Sequence, residues 1–264
     1  MLKFSVCIDA LLTEYDYADR VKRTKELGFS AAEFWFWKNK DTDLIAKASR
    51  EYGVPIAGMC TDTKREKPET YHGPLYMEDS EEFCRIAKDS AELAKKMGVG
   101  TLIMQTGDER LDIPRDVQHA NLVVNLRRAA KIYEDADVTL VVEPLNTLYN
   151  HRGYYLSSSY EGFSIIREVD SPNVKLLYDV YHQQVTEGNL INNITDNIDL
   201  IGHMHIADVP GRGAPGTGEI NWKNVFAAIE KSGYDKYVGL EYFTASPTEK
   251  SLEKFIEDYS EFTR

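Results

Sequence analysis

The stretch EEFCRIAKDSAELAKKMGVGTLIMQ, residues 81–105, contains one complete step from a helix to a strand and decides the fold. Its first part has the amphipathic spacing of a helix and ends with Lys-Lys-Met-Gly, which places cations in the last turn and a glycine at the stop. Its end, TLIMQ, is a short and mostly apolar run without alternation, as is typical of a strand covered on both faces. The stretch therefore predicts a helix followed by a buried strand of a parallel sheet.

The same alternation of an amphipathic stretch with a short apolar run recurs along the chain. The amphipathic stretch YADRVKRTKELG (17–28), for example, follows the first apolar run. The eight predicted strands are FSVCI (4–8), AAEFWFW (31–37), PIAGMC (55–60), TLIMQ (101–105), TLVVE (139–143), VKLLYD (174–179), LIGHMHI (200–206) and YVGLEY (237–242). Eight such units predict an α/β fold with a single (β/α)8 TIM barrel over residues 1–264, and a doubly wound open sheet is the alternative. The phosphate-binding motif G-x-G-x-x-G does not follow the first strand, which argues against a dinucleotide-binding version.

Composition restricts the partners. The chain has 31 basic and 43 acidic side chains, a formal net charge of −12, which repels nucleic acid and anionic membranes. The three cysteines are widely spaced and predict no disulfide framework. The N-terminus lacks the apolar region of a signal peptide, and no run reaches the length of a membrane span. We expect a cytoplasmic protein with a small-molecule substrate, either a monomer or a homo-oligomer.

Polar side chains follow four consecutive strands in the second half of the chain. They are Glu143, Asp179, His205 and Glu241, each at the end of an apolar run where an unpaired charge is costly. Because the carboxyl ends of barrel strands meet at the active site, we expect these four side chains to lie together. An oxygen-rich set with one imidazole suits a divalent metal ion, Mn²⁺ or Mg²⁺ before Zn²⁺, with Co²⁺ also acceptable.

The seventh strand carries two histidines, His203 and His205. Because side chains alternate along a strand, both point to the same face. His205 lies nearer the end of the strand and is therefore the predicted ligand. His203 is expected about 7 Å deeper, from roughly 3.3 Å per residue, as a buried hydrogen-bonding residue beneath the site.

Two other stretches allow two interpretations each. The aromatic residues of EFWFW (33–37) are either barrel packing or the wall of a small-molecule pocket. The irregular stretch 61–79 is either a lid over the barrel mouth or a surface excursion.

Longer motifs in the second half resemble the hydroxypyruvate isomerase family. This family belongs to the barrel sugar isomerases and epimerases, which are related to xylose isomerase-like and endonuclease IV-like proteins. The resemblance is dense over residues 139–242 and looser, by strand rhythm, in the N-terminal half. The motifs are VVEPLN (141–146), GYYLSSS (153–159), SPNVKLLYDVYHQQVTEGNL (171–190), IGHMHIADVPGRGAPGTGEINW (201–222) and GLEY (239–242).

The resemblance implies reversible isomerisation of hydroxypyruvate and tartronate semialdehyde, or of a closely related small 2-oxo or hydroxy acid. It also implies that Glu143 and Glu241 match the family's paired acid/base glutamates. We expect one of them to remove a proton next to a carbonyl and the other to assist or return it at the neighbouring carbon. His182 and Arg212 would then bind substrate oxygens, since a guanidinium can pair with a carboxylate through two hydrogen bonds.

One residue departs from the family pattern. Glutamine is common in this family where the chain has His205, whereas the related ketose 3-epimerases carry histidine there. A ketose 3-epimerase acting on a free sugar is therefore one alternative, and a non-catalytic sugar-acid binding protein is another. An endonuclease acting on abasic DNA shares the fold but needs a multi-zinc cluster, for which six histidines and a charge of −12 are poorly suited.

Overall fold

Eight parallel strands close into a barrel in chain order, with the first strand beside the last. A computed structural model of the chain describes residues 1–61, 73–245 and 247–263. The predicted TIM barrel is confirmed, and the open sheet is wrong. The strands are β1 (Lys3–Cys7), β2 (Ala31–Phe34), β3 (Ile56–Cys60), β4 (Thr101–Met104), β5 (Thr139–Val142), β6 (Val174–Asp179), β7 (Ile201–Ile206) and β8 (Tyr237–Leu240).

Helices follow the strands and cover the outside of the barrel. They are α1 (Tyr17–Glu26), α2 (Thr42–Tyr52), α3 (Ser80–Met97), α4 (Arg115–Ala136), α5 (Ser159–Val169), α6 (Val180–Thr186), α7 (Leu190–Asp196), α8 (Trp222–Lys231), α9 (Thr248–Asp258) and α10 (Ser260–Thr263). A short 3-10 helix, Ile198–Leu200, leads into β7. Across the described ranges, no helix combines the length and apolar character needed to cross a membrane.

The ends of the predicted elements have local causes. Helix α3 ends where expected, because Gly98 adopts a left-handed conformation (φ 76°) and donates to the carbonyls of Ala94 and Lys95. The second strand is shorter than predicted and stops at Phe34. Beyond it, the backbone N–H of Trp35 donates to a carboxylate oxygen of Asp9 at 2.7 Å instead of continuing the ladder. The predicted lid over residues 61–79 stays a prediction, because residues 62–72 of that stretch lie outside the described residues.

The pairing of β6 with β7 contains a one-residue irregularity after Leu176. As a result Asp179 lies beside His205, whereas the register at the start of the strands would place it beside Met204. Gly202 lies in β7 at this irregularity, where a Cβ would come 2.6 Å from a side-chain carbon of β5. The shifted register brings two predicted ligands to the same height in the barrel.

Candidate functional site

The four predicted ligands meet at the carboxyl end of the barrel. Glu143 directly follows β5, Asp179 ends β6, His205 lies near the end of β7, and Glu241 directly follows β8. Each offers one ligand atom, and these atoms all lie within 4.8 Å of one another. All four residues are buried. The parallel barrel therefore concentrates three carboxylates and one imidazole in a space that water reaches poorly.

His205 stands between carboxylates. Its Nδ1 lies 3.6 Å from Oε1 of Glu143 and 3.3 Å from Oε2 of Glu241. Within the described residues, neither ring nitrogen has a hydrogen-bond partner of acceptable geometry. Burial alone lowers the pKa of His205, but the charges of Glu241 and Glu33 outweigh it and raise the pKa well above the usual value. A buried, unpartnered nitrogen facing two carboxylates fits the donor set of a divalent cation.

Arg212 is the cation that balances this cluster. Its Nη2 forms ion pairs with Glu241 and, at 3.4 Å, with Oδ2 of Asp179. The guanidinium lies over the rings of Tyr181 and Phe243, at 5.4 and 5.9 Å from their centroids. Burial lowers the pKa of Arg212, but the two carboxylates outweigh it and raise that pKa, so the side chain stays charged. The site thus holds a permanent positive charge next to the ligand cluster.

Two of the carboxyl groups differ in their acidity. Burial raises the pKa of Glu241, but His205 and Arg212 outweigh it and hold the pKa well below its usual value. Burial also raises the pKa of Asp179, and the more distant guanidinium of Arg212 offsets this only in part. Glu241 is therefore ionised, whereas burial destabilises the charged form of Asp179.

The loop that presents Arg212 is anchored by Asp208, a fully buried carboxylate. Its Oδ1 accepts from the backbone of Val209 (2.9 Å) and Ile220 (3.2 Å). Its Oδ2 accepts from the Gly216 backbone (2.8 Å) and from Nε1 of Trp222 (2.9 Å). One side chain thereby fixes both ends of the loop, in which Arg212 takes a left-handed conformation with φ 56°.

His182 lies behind Asp179 and is fully buried. Its Nδ1 accepts from the backbone N–H of Asn146 at 3.0 Å, and its Nε2 lies 3.5 Å from Oδ2 of Asp179. Burial and then the charge of Arg212 lower the pKa of His182 to about 3. The ring is therefore neutral at physiological pH, with its proton on Nε2.

A cavity of about 210 Å³ opens onto the ligand cluster. Glu143, Arg212 and Glu241 provide polar walls, and Trp35 and Phe36 provide aromatic ones. The aromatic residues after β2 thus belong to the wall of a pocket rather than to barrel packing alone. A cavity below the roughly 300–1,000 Å³ of drug-sized ligand sites suits a small molecule.

Sequence reasoning missed Glu33, which lies in the middle of β2. Its Oε2 is 3.0 Å from Nε2 of His203 and accepts from the Ser5 hydroxyl at 2.7 Å, and its Oε1 is 3.0 Å from Nε2 of His205. Burial raises the pKa of Glu33, but the two histidines outweigh it and lower the pKa to about 2. The signal was present in the sequence, since Glu33 interrupts the apolar run AAEFWFW, where a lone charge is costly.

Trp35 lines the pocket and also contacts the ligand cluster. Its indole Nε1 donates to Oε1 of Glu241 at 2.5 Å. His203, expected beneath the site, contacts Glu33 and is buried.

Comparisons with known proteins agree with this architecture. The family described as xylose isomerase-like TIM barrel matches residues 21–259. The hydroxypyruvate isomerase of Escherichia coli (strain K12) is 33% identical over 260 residues, which cover 96% of this chain and 97% of the relative. The 2-oxo-tetronate isomerase of Pectobacterium atrosepticum is 27% identical, over 96% of each chain. A crystal structure described as AP endonuclease, family 2, from Brucella melitensis superposes with a TM-score of 0.91 at 27% identity, over 98% of this chain and 99% of that one.

Proposed function

The chain belongs to the xylose isomerase-like TIM barrel family and within it to the hydroxypyruvate isomerases, and from this we propose its reaction. The proposed reaction interconverts hydroxypyruvate and tartronate semialdehyde, or a closely related small 2-oxo or hydroxy acid. The protein is an isomerase of small keto acids, as its similarity to a hydroxypyruvate isomerase and a 2-oxo-tetronate isomerase supports. The finer proposal adds dependence on a divalent metal ion and proton transfer by two glutamates.

The observation that carries the metal proposal is the ligand cluster. Glu143, Asp179, His205 and Glu241 offer four donor atoms within 4.8 Å of one another, and Nδ1 of His205 has no hydrogen-bond partner among the described residues. These four residues would hold the ion, and the excess of oxygen donors favours Mn²⁺ or Mg²⁺. A divalent cation bound there supplies a Lewis acid that stabilises negative charge developing on the substrate oxygens.

Glu143 and Glu241 are the proposed acid/base pair. They follow β5 and β8, which lie three strands apart in the barrel, and both line the cavity. One glutamate removes a proton from the hydroxymethyl carbon of hydroxypyruvate, which leaves an ene-diolate. The other delivers a proton to the neighbouring carbon, while the hydroxymethyl oxygen loses its proton and the former ketone oxygen gains one. A ketone and a hydroxymethyl group thereby become a hydroxyl-bearing carbon and an aldehyde. No atom is gained or lost, as an isomerisation requires.

Arg212 and His182 are the proposed substrate-binding residues. The Arg212 guanidinium reaches the cavity, stays charged and lies against Tyr181 and Phe243, so it can donate two hydrogen bonds to the substrate carboxylate. Nε2 of His182 carries a proton and has no hydrogen-bond partner among the described residues. It is therefore a donor for a substrate oxygen near Asp179.

The test replaces each glutamate by its amide. Glu143→Gln and Glu241→Gln keep the shape of the side chain but cannot carry a proton at neutral pH. Because general acid–base catalysis contributes about 10²–10⁴-fold, we expect turnover of hydroxypyruvate to fall by that factor while the circular dichroism spectrum is unchanged. Glu219→Gln, the same substitution at an exposed position, is the control and should retain wild-type turnover. Near-normal activity of either active-site variant would rule out its proposed role.

A ketose 3-epimerase is the second candidate, because His205 matches the residue of those enzymes. Incubation in D₂O with hydroxypyruvate and separately with free ketoses distinguishes the two, since each reaction places deuterium only on the substrate it turns over. The same assay with a chelator, followed by Mn²⁺ or Mg²⁺, tests the metal requirement. A non-catalytic sugar-acid binding protein would incorporate no deuterium from any of them.

A further inference from the structure

Glu33 is a buried carboxylate outside the four-residue ligand cluster. It is 2% exposed and lies in the barrel interior, below the predicted ligands. Three polar groups approach it: the Ser5 hydroxyl, Nε2 of His203 and Nε2 of His205. A charge at this depth is costly without partners, so the contacts require an explanation.

The ring of His205 links Glu33 to the ligand cluster. Its Nε2 lies 3.0 Å from Oε1 of Glu33, while its Nδ1 faces Glu143 and Glu241 on the other side of the ring. An imidazole can offer a lone pair from Nδ1 only when its proton is on Nε2. An acceptor beside Nε2 selects that form and fixes the plane of the ring.

The barrel leaves space for this contact at one glycine. Gly239 of β8 pairs with His205 in the sheet. A Cβ on Gly239 would come 2.4 Å from Oε1 of Glu33 and 2.7 Å from Cδ2 of His205. Ser5 of β1 donates to the other carboxylate oxygen of Glu33, which does not face His205. The space left at Gly239 thus lets Oε1 of Glu33 lie against His205.

We propose that Glu33 is a positioning residue, which accepts the Nε2 proton of His205 and so directs a bare Nδ1 toward the divalent cation. This inference rests on the proposed metal-dependent function. Oε1 of Glu33 lies 3.0 Å from Nε2 of His205, on the side of the ring opposite Glu143 and Glu241. Oε2 of Glu33 accepts from the Ser5 hydroxyl and lies against His203, so Glu33 is placed to support His205 from outside the four-residue cluster.

The test compares Glu33→Gln with Ser5→Ala. A glutamine has one acceptor oxygen for two histidines, so it leaves one imidazole N–H facing an amide NH₂ group. We expect Mn²⁺ to bind Glu33→Gln about 10–100-fold more weakly by isothermal titration calorimetry, the usual effect of removing the partner of a ligating histidine. Ser5→Ala removes a hydrogen bond from the same carboxylate without touching His205, and it should bind Mn²⁺ as the wild type does. Urea unfolding of both variants measures any general loss of stability.

Spectroscopy of the wild-type protein gives a second test that needs no substitution. In the Mg²⁺-loaded protein, ¹⁵N chemical shifts of the His205 ring should show a protonated Nε2 and an unprotonated Nδ1. The opposite tautomer, or equal Mn²⁺ affinity of the wild type and Glu33→Gln, overturns the role of Glu33 and leaves the proposed metal centre standing. Failure of the wild type to bind Mn²⁺ or Mg²⁺ overturns both proposals.

Discussion

At the scale of single residues, Trp35 forms hydrogen bonds with Asp9, which follows β1, and with the proposed catalytic residue Glu241. Asp9 accepts from its backbone N–H, and the indole N–H donates to Oε1 of Glu241 at 2.5 Å. Trp35→Phe keeps the aromatic wall of the cavity but removes the donor that orients Glu241. We expect kcat for hydroxypyruvate to fall about tenfold with a smaller change in KM, because one hydrogen bond to a charged group is worth roughly 1.5–3 kcal/mol and part of it is recovered by relaxation.

Trp37 offers a matched control two residues away. Its indole Nε1 has no hydrogen-bond partner among the described residues. Trp37→Phe therefore removes the same atoms without removing a contact to Glu241, and it should leave kcat within about twofold of wild type. Equal losses in the two variants would show that general packing, rather than the bond to Glu241, accounts for the effect.

The clustering of Glu143, Asp179, His205 and Glu241 could be predicted because each is a polar residue at the end of an apolar strand, and barrel topology places all strand ends together. Glu33 and the indole of Trp35 could not be assigned in the same way. Their partners lie on β7 and after β8, more than 150 residues away in the sequence. The residues around Glu33 and Trp35 do not indicate which distant residue each one contacts. Sequence patterns therefore predict which residues gather at the carboxyl end of the barrel, whereas the contacts of Glu33 and Trp35 depend on how distant strands pack.

At the scale of elements, the loop between β7 and α8 is a rigid unit that presents Arg212. Asp208 accepts four hydrogen bonds within it, and Asp208→Asn leaves buried N–H groups of the loop facing an NH₂ group. We expect a loss of about 1–3 kcal/mol in the free energy of unfolding for each donor left unpaired. KM for hydroxypyruvate should rise, since Arg212 is no longer held in one position. Affinity for Mn²⁺ should not fall, because the proposed ligands lie on or next to the strands and Arg212 is a positive charge beside them.

Thr217→Ala is the control within the same loop. The Thr217 hydroxyl is exposed and donates only to the carbonyl of Ala214 among the contacts described. Its removal should change neither stability nor KM measurably in urea unfolding and steady-state assays. A loss of Mn²⁺ affinity in Asp208→Asn would contradict the separation of the loop from the ligand cluster.

The strands also show where sequence patterns reach their limit. Each of the eight predicted runs overlaps an observed strand, with ends that agree within about three residues. The irregular pairing after Leu176 was not predictable, although it places Asp179 beside His205. It depends on Gly202 approaching side chains of β5 and β6, which is a property of the assembled barrel. The order and number of the strands and helices can be predicted from local sequence patterns, whereas the register between neighbouring strands depends on the assembled barrel.

At the scale of the whole molecule, the barrel concentrates negative charge at its mouth while the chain as a whole carries −12. Arg212 and His205 offset part of the repulsion within the ligand cluster, and the pKa of Asp179 remains raised by burial. The protein therefore retains a desolvation cost at one buried carboxyl group. A cation bound there, as proposed, would relieve this cost only in the folded state, so its binding would be coupled to folding.

This coupling predicts that metal removal lowers thermal stability. At an Mn²⁺ concentration 100 times its Kd, binding contributes about 2.7 kcal/mol. With about 2–4 °C per kcal/mol for a chain of this size, Tm should rise by roughly 5–10 °C in scanning calorimetry and return to its original value with a chelator. Asp179→Asn should abolish most of that rise. An asparagine at this position can still cap α6 through its oxygen, as Asp179 does by accepting from the backbone N–H groups of Tyr181 and His182, so the variant should fold. A full rise in Tm with Asp179→Asn would place the stabilising ion elsewhere in the molecule.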